Sequence, residues 1–185
     1  MRKIVLTVII ALLSTIGYCQ DKAEFNAAQK AANWNFKIED SKVYWQKVFD
    51  YPAEDSLKVE DFFDKNPSFK KDGDGYSAQL VMTEYTKEPN MNIPFILHST
   101  ADMIFYVQIK DGRYRVTVTN ITWKGNVGTV GTITIMQEAS LTMQDLMKKS
   151  KKLKASGAKH TNICLLNIFN YNSEFNTVKQ LDDDF

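Results

Sequence analysis

The dipeptide Asp111-Gly112 stands between two runs in which apolar and polar residues alternate, "ADMIFYVQIK" and "RYRVTVTNITW". Such a pair is the strongest short-range signal for a two-residue hairpin loop, and it predicts a type I′ turn with positive φ at both central residues. The loop sets the register, with Lys110 opposite Arg113 and Ile109 opposite Tyr114, because a slip of one residue would turn every side chain to the other face. One face then carries Met103, Phe105, Val107 and Ile109 against Tyr114, Val116, Val118 and Asn120. The other carries Ile104, Tyr106, Gln108 and Lys110 against Thr119, Thr117, Arg115 and Arg113. A sheet apolar on one side and polar on the other must be covered on its apolar side. The chain is therefore expected to be α+β, with an antiparallel sheet of about four to six strands and helices packed on one face.

Further elements follow from local patterns. In "SKVYWQKVFDYP" β-branched and aromatic residues concentrate ahead of Pro52, which predicts a strand from Lys42 to Phe49. "AEDSLKVEDFFDKNP" predicts a short helix from Ser56 to Lys65, with Asp55 or Ser56 as cap, Leu57, Phe62 and Phe63 on its apolar side, and Pro67 as stop. "KKDGDGYSAQLVMTEYT" invites a calcium-loop reading. However, setting Gly75 at the obligatory glycine puts Lys70 and Val81 at the first and last ligand positions. Turn chemistry accounts for the Asp-Gly pairs, and Tyr76, Ala78, Leu80 and Met82 then alternate as in a half-buried strand. Beyond Trp123 the chain loosens through Gly125, Gly128 and Gly131, with "TITIM" at 132–136 as a further strand candidate. In "SLTMQDLMKKSKKLKASG" Met143, Leu146, Met147 and Leu153 share a helical stripe, Thr142 and Asp145 form a capping pair, and Gly157 marks a stop. A second helical segment is expected from Thr161 to Leu181, lined by Leu165, Ile168, Phe169, Phe175 and Val178, with "NYNS" at 170–173 as a bend or break. Nothing divides residues 42–185, which are read as one domain behind a loosely ordered arm at 20–41.

The N-terminus bears on compartment. Arg2 and Lys3 precede the run Ile4 to Ile16 and then Gly17-Tyr18-Cys19, the charged, apolar and small-residue order of an export signal; a membrane span needs about 18 apolar residues or more. Residues 1–19 are read as a signal peptide cut between Cys19 and Gln20, giving a periplasmic or secreted product. In the rival reading Cys19 is the acylated first residue of a lipoprotein, although Tyr18 before it fits that processing poorly, and only then is a membrane expected as a partner. Removal of Cys19 leaves Cys164 without a disulfide partner, so stability must come from an ordinary core. The material for one is present, since 44% of residues are hydrophobic. The chain carries 23 Lys and Arg against 22 Asp and Glu, net +1, which excludes a global field for nucleic acid.

The stretches "YWQKVFDYPAEDSLKVEDFF", "GYSAQLVM" and "FYVQIKDGRYRVTVTNITW", in this order, resemble a family of small exported bacterial domains of unknown function with a TATA-binding-protein-like fold. The resemblance covers roughly residues 42–124, its most recognisable piece being "KDGRYR", Lys110 to Arg115. It implies a TATA-binding-protein-like sheet and an exported location, with Gly125 to Gly157 as an insertion. It implies no activity and carries over no catalytic residue. The namesake fold binds DNA across its sheet with inserted phenylalanines, but an exported, nearly neutral chain with threonines on that face is not expected to bind nucleic acid.

Catalytic chemistry finds little support. The histidines are His98, in "PFILHST", and His160, where a helix is expected; both are read as structural or solvated. Cys164 lies in "NICLLNIF", an apolar setting that keeps a thiol protonated and inert. Glu84 and Glu88 form a carboxylate pair by composition alone. Zinc spacing, phosphate-cradling loops, dinucleotide fingerprints and serine elbows are missing, so no catalytic residue, metal or cofactor is expected. The reading is a non-catalytic binding or interaction module; the alternative is a small exported hydrolase of undetected type. Its candidate binding face is Tyr106, Gln108, Lys110, Arg113, Arg115 and Thr117, suited to a protein or to an acidic or carbohydrate-like ligand. The plainer reading of these residues is a solubilising sheet face. The lysines from Lys148 to Lys154 are read as the wet side of an amphipathic helix, with membrane-surface attachment the weaker alternative.

Overall fold

The computed structural model describes residues 34–40, 42–87, 95–127, 137–148 and 155–176. Seven antiparallel strands form one sheet: β1 (Phe36–Glu39), β2 (Lys42–Asp50), β3 (Phe69–Asp72), β4 (Gly75–Val81), β5 (Thr100–Lys110), β6 (Arg113–Val127) and β7 (Gln137–Thr142). The spatial order is β1-β2-β6-β5-β4-β3, with β7 paired to β6. Helices α1 (Ser56–Lys65), α2 (Met143–Lys148) and α3 (Ala155–Phe169) and three short 3-10 segments complete the α+β architecture. The sheet is thus larger than the four to six strands expected. One addition, β1, falls in the supposed arm. Its Phe36 and Ile38 alternate with Lys37 and Glu39 over only four residues, too short a pattern to stand out among polar neighbours.

The central hairpin follows its predicted register from Lys110↔Arg113 to Phe105↔Val118. There it shifts, and Ile104 pairs with Asn120 instead of Thr119. Thr119 is the extra residue of a bulge. In the sequence, Val116 and Val118 occupy even positions while Ile121 and Trp123 occupy odd ones. An unbroken ladder would bury Asn120 and expose Ile121 and Trp123. The bulge restores the pattern: Met103 meets Ile121, Ala101 meets Trp123, and all four side chains are buried. The tip also differs from expectation. Gly112 has φ +73°, but Asp111 is not among the positive-φ residues, so the turn is not type I′. A left-handed backbone is costly for a residue with a Cβ, and this loop confines it to glycine. The β3–β4 hairpin does likewise, with Gly73 at φ +57°.

One face of the sheet is covered. Phe169 of α3 packs against Phe105 (ring centroids 4.7 Å apart), Trp45 (5.9 Å) and Phe69 (6.0 Å). From α1, Val59, Phe62 and Phe63 are buried, and Phe63 meets Tyr114 edge-on at 5.4 Å. Leu57, expected on that side, is exposed. At 100° per residue it lies about 200° from Val59, and Val59, Phe62 and Phe63 form the i, i+3, i+4 stripe. Asp55 precedes α1 without capping it through its side chain; its carboxylate instead accepts from Lys58 Nζ (2.6 Å) and Tyr171 Oη (2.8 Å).

The Thr142–Asp145 capping pair forms at α2, where Asp145 N–H donates to Thr142 Oγ1 at 3.1 Å and Thr142 N–H to Asp145 Oδ2 at 3.2 Å. Gly157 does not stop a helix. It lies in the first turn of α3, where a glycine's missing side chain costs little packing. The C-terminal helix begins earlier than expected and ends at Phe169. Asn170 and Ser173 close a turn there (Ser173 N–H to Asn170 O, 2.8 Å), and a helical turn resumes at 174–176. The expected export signal at 1–19 with its cleavage pair Cys19 and Gln20, residues 20–33 of the arm, Glu88, the 132–136 strand candidate, Lys149 to Lys154 and Val178 lie outside the described residues.

Candidate functional site

Among the described residues no element covers the second face of the sheet, where Val48, Ile104 and Tyr106 are exposed. Across its centre run β2, β6 and β5, and their outward positions form rows: Gln46, Thr117 and Tyr106; Val48, Arg115 and Gln108; Asp50, Arg113 and Lys110. All six sequence-predicted residues therefore share one surface. Four of them, Gln108, Lys110, Arg113 and Arg115, line a shallow depression of about 170 Å³ together with Val48 and Tyr114. Thr117 and Tyr106 lie one row further along the strands.

The cations of the depression are without ion pairs among the described residues. Among the described residues Lys58, Lys65, Lys71, Lys87 and Lys124 each form an ion pair; Lys110, Arg113 and Arg115 form none, like Lys37, Lys42, Lys47 and Lys70, although Asp50 stands beside Arg113 in register. At the opposite end of the same face the charge is neutralised. Asp102 accepts from Lys124 Nζ at 2.6 Å and from Gln79 Nε2 at 2.8 Å, and these two donors hold its carboxyl below the usual carboxylate range.

The supports of the site come from β2 and its end. Tyr51 Oη donates to the Lys110 carbonyl (2.9 Å) and its amide to the Gly112 carbonyl (2.9 Å), so one residue ties down both sides of the hairpin tip. Gln46 Nε2 donates to Thr117 Oγ1 at 3.0 Å, and its Oε1 accepts from Lys37 Nζ at 2.6 Å, a polar chain crossing three strands. Beneath the sheet Tyr114 is fully buried, its hydroxyl donating to the Phe169 carbonyl at 2.7 Å. Burial pushes that phenol's pKa up. Tyr106 has its ring against Gly75, where a Cβ would stand 3.0 Å from its Cε1 and 2.9 Å from the Phe105 carbonyl oxygen. Only glycine leaves room for the ring to lie flat, an aromatic covering a strand glycine. Tyr106 is still 43% exposed.

Gln46, Val48, Tyr51 and Gly75 were not among the predicted site residues. The even-numbered alternation in β2 carried the signal for the first two, but nothing local says that β2 lies beside β6. Of the residues weighed for catalysis, His160 and Cys164 meet, both buried in α3. His98 is exposed at the end of a 3-10 segment, Phe95–His98, and Glu84 is exposed on another. His160 is 2% exposed in α3, with Nε2 3.6 Å from the buried Cys164 Sγ. Among the described residues no group of three or more His, Cys, Asp or Glu is placed to hold a metal ion, and no helix is long and apolar enough to cross a membrane. Comparison with protein-family models, curated proteins and solved structures gives no match to this chain.

Proposed function

We propose that the protein is an exported, non-catalytic binding module whose ligand meets the open sheet face at the Lys110, Arg113 and Arg115 end. The observation that carries this reading is the convergence on one shallow depression of three cations, Lys110, Arg113 and Arg115, that form no ion pair among the described residues. Uncompensated cations on a rigid sheet cost solvation to crowd together, and an anionic group between them relieves that repulsion. The leader at residues 1–19 supports export. The finer architecture belongs to the same proposal: kinship with exported domains of TATA-binding-protein-like fold, supported by the order strand, short helix, antiparallel strands and C-terminal helix around an open sheet face.

Two measurements test it. Intact mass of the protein taken from its own cells is expected to show a chain beginning at Gln20; retention of Met1 to Tyr18 would overturn export, and acyl chains on Cys19 would replace free diffusion by anchoring. Chemical cross-linking in the same cells is expected to give an adduct that disappears when Arg113 and Arg115 are both replaced by Ser, with thermal stability unchanged. An adduct pattern indifferent to that double replacement overturns the open-face reading.

A further inference from the structure

We infer that the ligand class of this face is an acidic glycan, with a uronate carboxylate held by Arg113, Arg115 and Lys110 and the adjoining sugar lying over Tyr106; this rests on the open-face reading above. Three features of the surface narrow the chemistry. The first is size. A depression of about 170 Å³ is smaller than the roughly 300–1,000 Å³ of sites that engulf a small molecule. It takes one charged group, and the remainder of the ligand must lie along the sheet.

The second is what the rest of the ligand meets. Over Arg113 to Val118, β6 is hydrogen-bonded to β2 on one side and β5 on the other, so the backbone beside the two arginines is saturated, whereas β4 pairs with β5 only as far as Phe105. An extended peptide laid across the arginines finds no ladder to join, and recognition there falls to side chains alone. Those side chains are amide, hydroxyl and phenol: Gln108 beside Arg115, then Thr117 and Tyr106 in the next row. They match a ligand that presents hydroxyls around its rim.

The third is Tyr106. Its ring is braced by Gly75 and 43% exposed, one strand across from Thr117. A flat, supported phenol ring offers a negative π face to the C–H side of a pyranose. Val48, 39% exposed beside Arg115, extends that apolar footing. The guanidinium pair supplies planar, bidentate recognition of a carboxylate, which a lone lysine cannot. The order on the surface, cations at the hairpin tip and then an aromatic platform, is that of a carboxylate on a sugar ring.

The test is calorimetric titration of the full chain with a short oligogalacturonate, its methyl-esterified form and an oligoglutamate. The oligogalacturonate is expected to bind, the ester to lose about tenfold or more because the charge-assisted contacts disappear, and oligoglutamate to bind more weakly than the uronide. Arg115→Gln should weaken the uronide about tenfold, and Tyr106→Ala should weaken it while leaving any oligoglutamate binding unchanged. Equal binding of oligoglutamate and uronide, with Tyr106→Ala silent on both, overturns the glycan assignment in favour of a general polyanion site. No uronide binding, while the cross-link dependent on Arg113 and Arg115 persists, overturns the glycan assignment alone. Loss of both removes the open-face reading with it.

Discussion

Tyr51 holds Lys110 by its main chain: the phenol hydroxyl at the end of β2 donates to the Lys110 carbonyl oxygen at 2.9 Å. This bond and the Tyr51 amide bond to Gly112 are what position the hairpin tip, and with it two of the three cations. Tyr51→Phe removes the first bond and keeps the ring, so about 1 kcal/mol of stability is expected to go. For a domain of this size that corresponds to a melting temperature lowered by about 2–4 °C. Amide exchange at the tip should accelerate more than exchange in the middle of β6, and uniform protection across the hairpin would contradict the clamp.

Thr119 separates the two halves of β6. Because the residue is exposed and its role is to occupy a position, Thr119→Ala is expected to change stability by less than about 0.5 kcal/mol. Deleting the residue is expected to keep unfolding cooperative, since Val118 then runs directly into Asn120 in an unbroken ladder that leaves Asn120 opposite Ile104 and keeps Ile121 and Trp123 facing the core. Urea denaturation of both proteins checks this, and a deletion variant without a cooperative transition would remove the explanation of the bulge.

Asn162 joins two distant segments to α3. Its Oδ1 accepts from Trp45 Nε1 at 2.9 Å and from Asn35 Nδ2 at 2.8 Å. Asn162→Ala leaves the buried Trp45 N–H without this acceptor, a loss of about 1–3 kcal/mol. The urea midpoint should fall with an unchanged slope.

Asp55 ties α1 to the C-terminal segment. Lys58 and then Tyr171 hold its carboxyl below the ordinary value of 3.8. A depressed native pKa means that the unfolded chain binds the proton first as pH falls. The stabilisation is therefore complete above about 3.8 and lost as pH drops through the native value. Asp55→Asn should be less stable at neutral pH and show a shallower fall in melting temperature on acidification. Some acid dependence should survive in it, because Asp64, lowered chiefly by Tyr76, and Asp102, lowered chiefly by Lys124, follow the same sign.

Gly125 faces Ser99 with no space for a side chain: a Cβ there would stand 2.1 Å from Ser99 Oγ and 2.7 Å from Ser99 Cβ. Gly125→Ala is expected to cost about 1–3 kcal/mol, and Ser99→Gly in the same chain should recover most of it. Equal stability of the single and double variants would refute the clash.

Where local rules act, the sequence could be read. Helix α1 has the predicted limits, β2 lies where β-branched and aromatic residues concentrate, and Gln108, Lys110, Arg113 and Arg115 meet because Asp111-Gly112 sets the parity of two strands. The bulge at Thr119 was also written there, as the switch from even to odd apolar positions between Val118 and Ile121, but alternation was extended across it. What could not be read was tertiary. No residue of β2 announces β6 as its neighbour, so Val48, Gln46 and Tyr51 were invisible as parts of the site. Leu57 looked like core by hydrophobicity, and only the angular position of Val59 shows why it faces water.

The layout of β6 also orders events in time. One of its edges is occupied by β5 and the other by two strands in succession, β2 along Arg113–Val118 and β7 along Thr122–Val127. The β5–β6 hairpin closes within its own segment, but β2 must wait for a partner far downstream: Gln46 and Thr117, bonded across the seam, are 71 positions apart. Closing so long a loop is slow, and until it happens β2 has only β1 beside it, too little sheet to bury Val43, Trp45 and Phe49. A nascent chain halted short of β6 thus carries an aromatic strand paired on one edge only, by β1, which makes this interval the period of greatest exposure to aggregation and to chaperones.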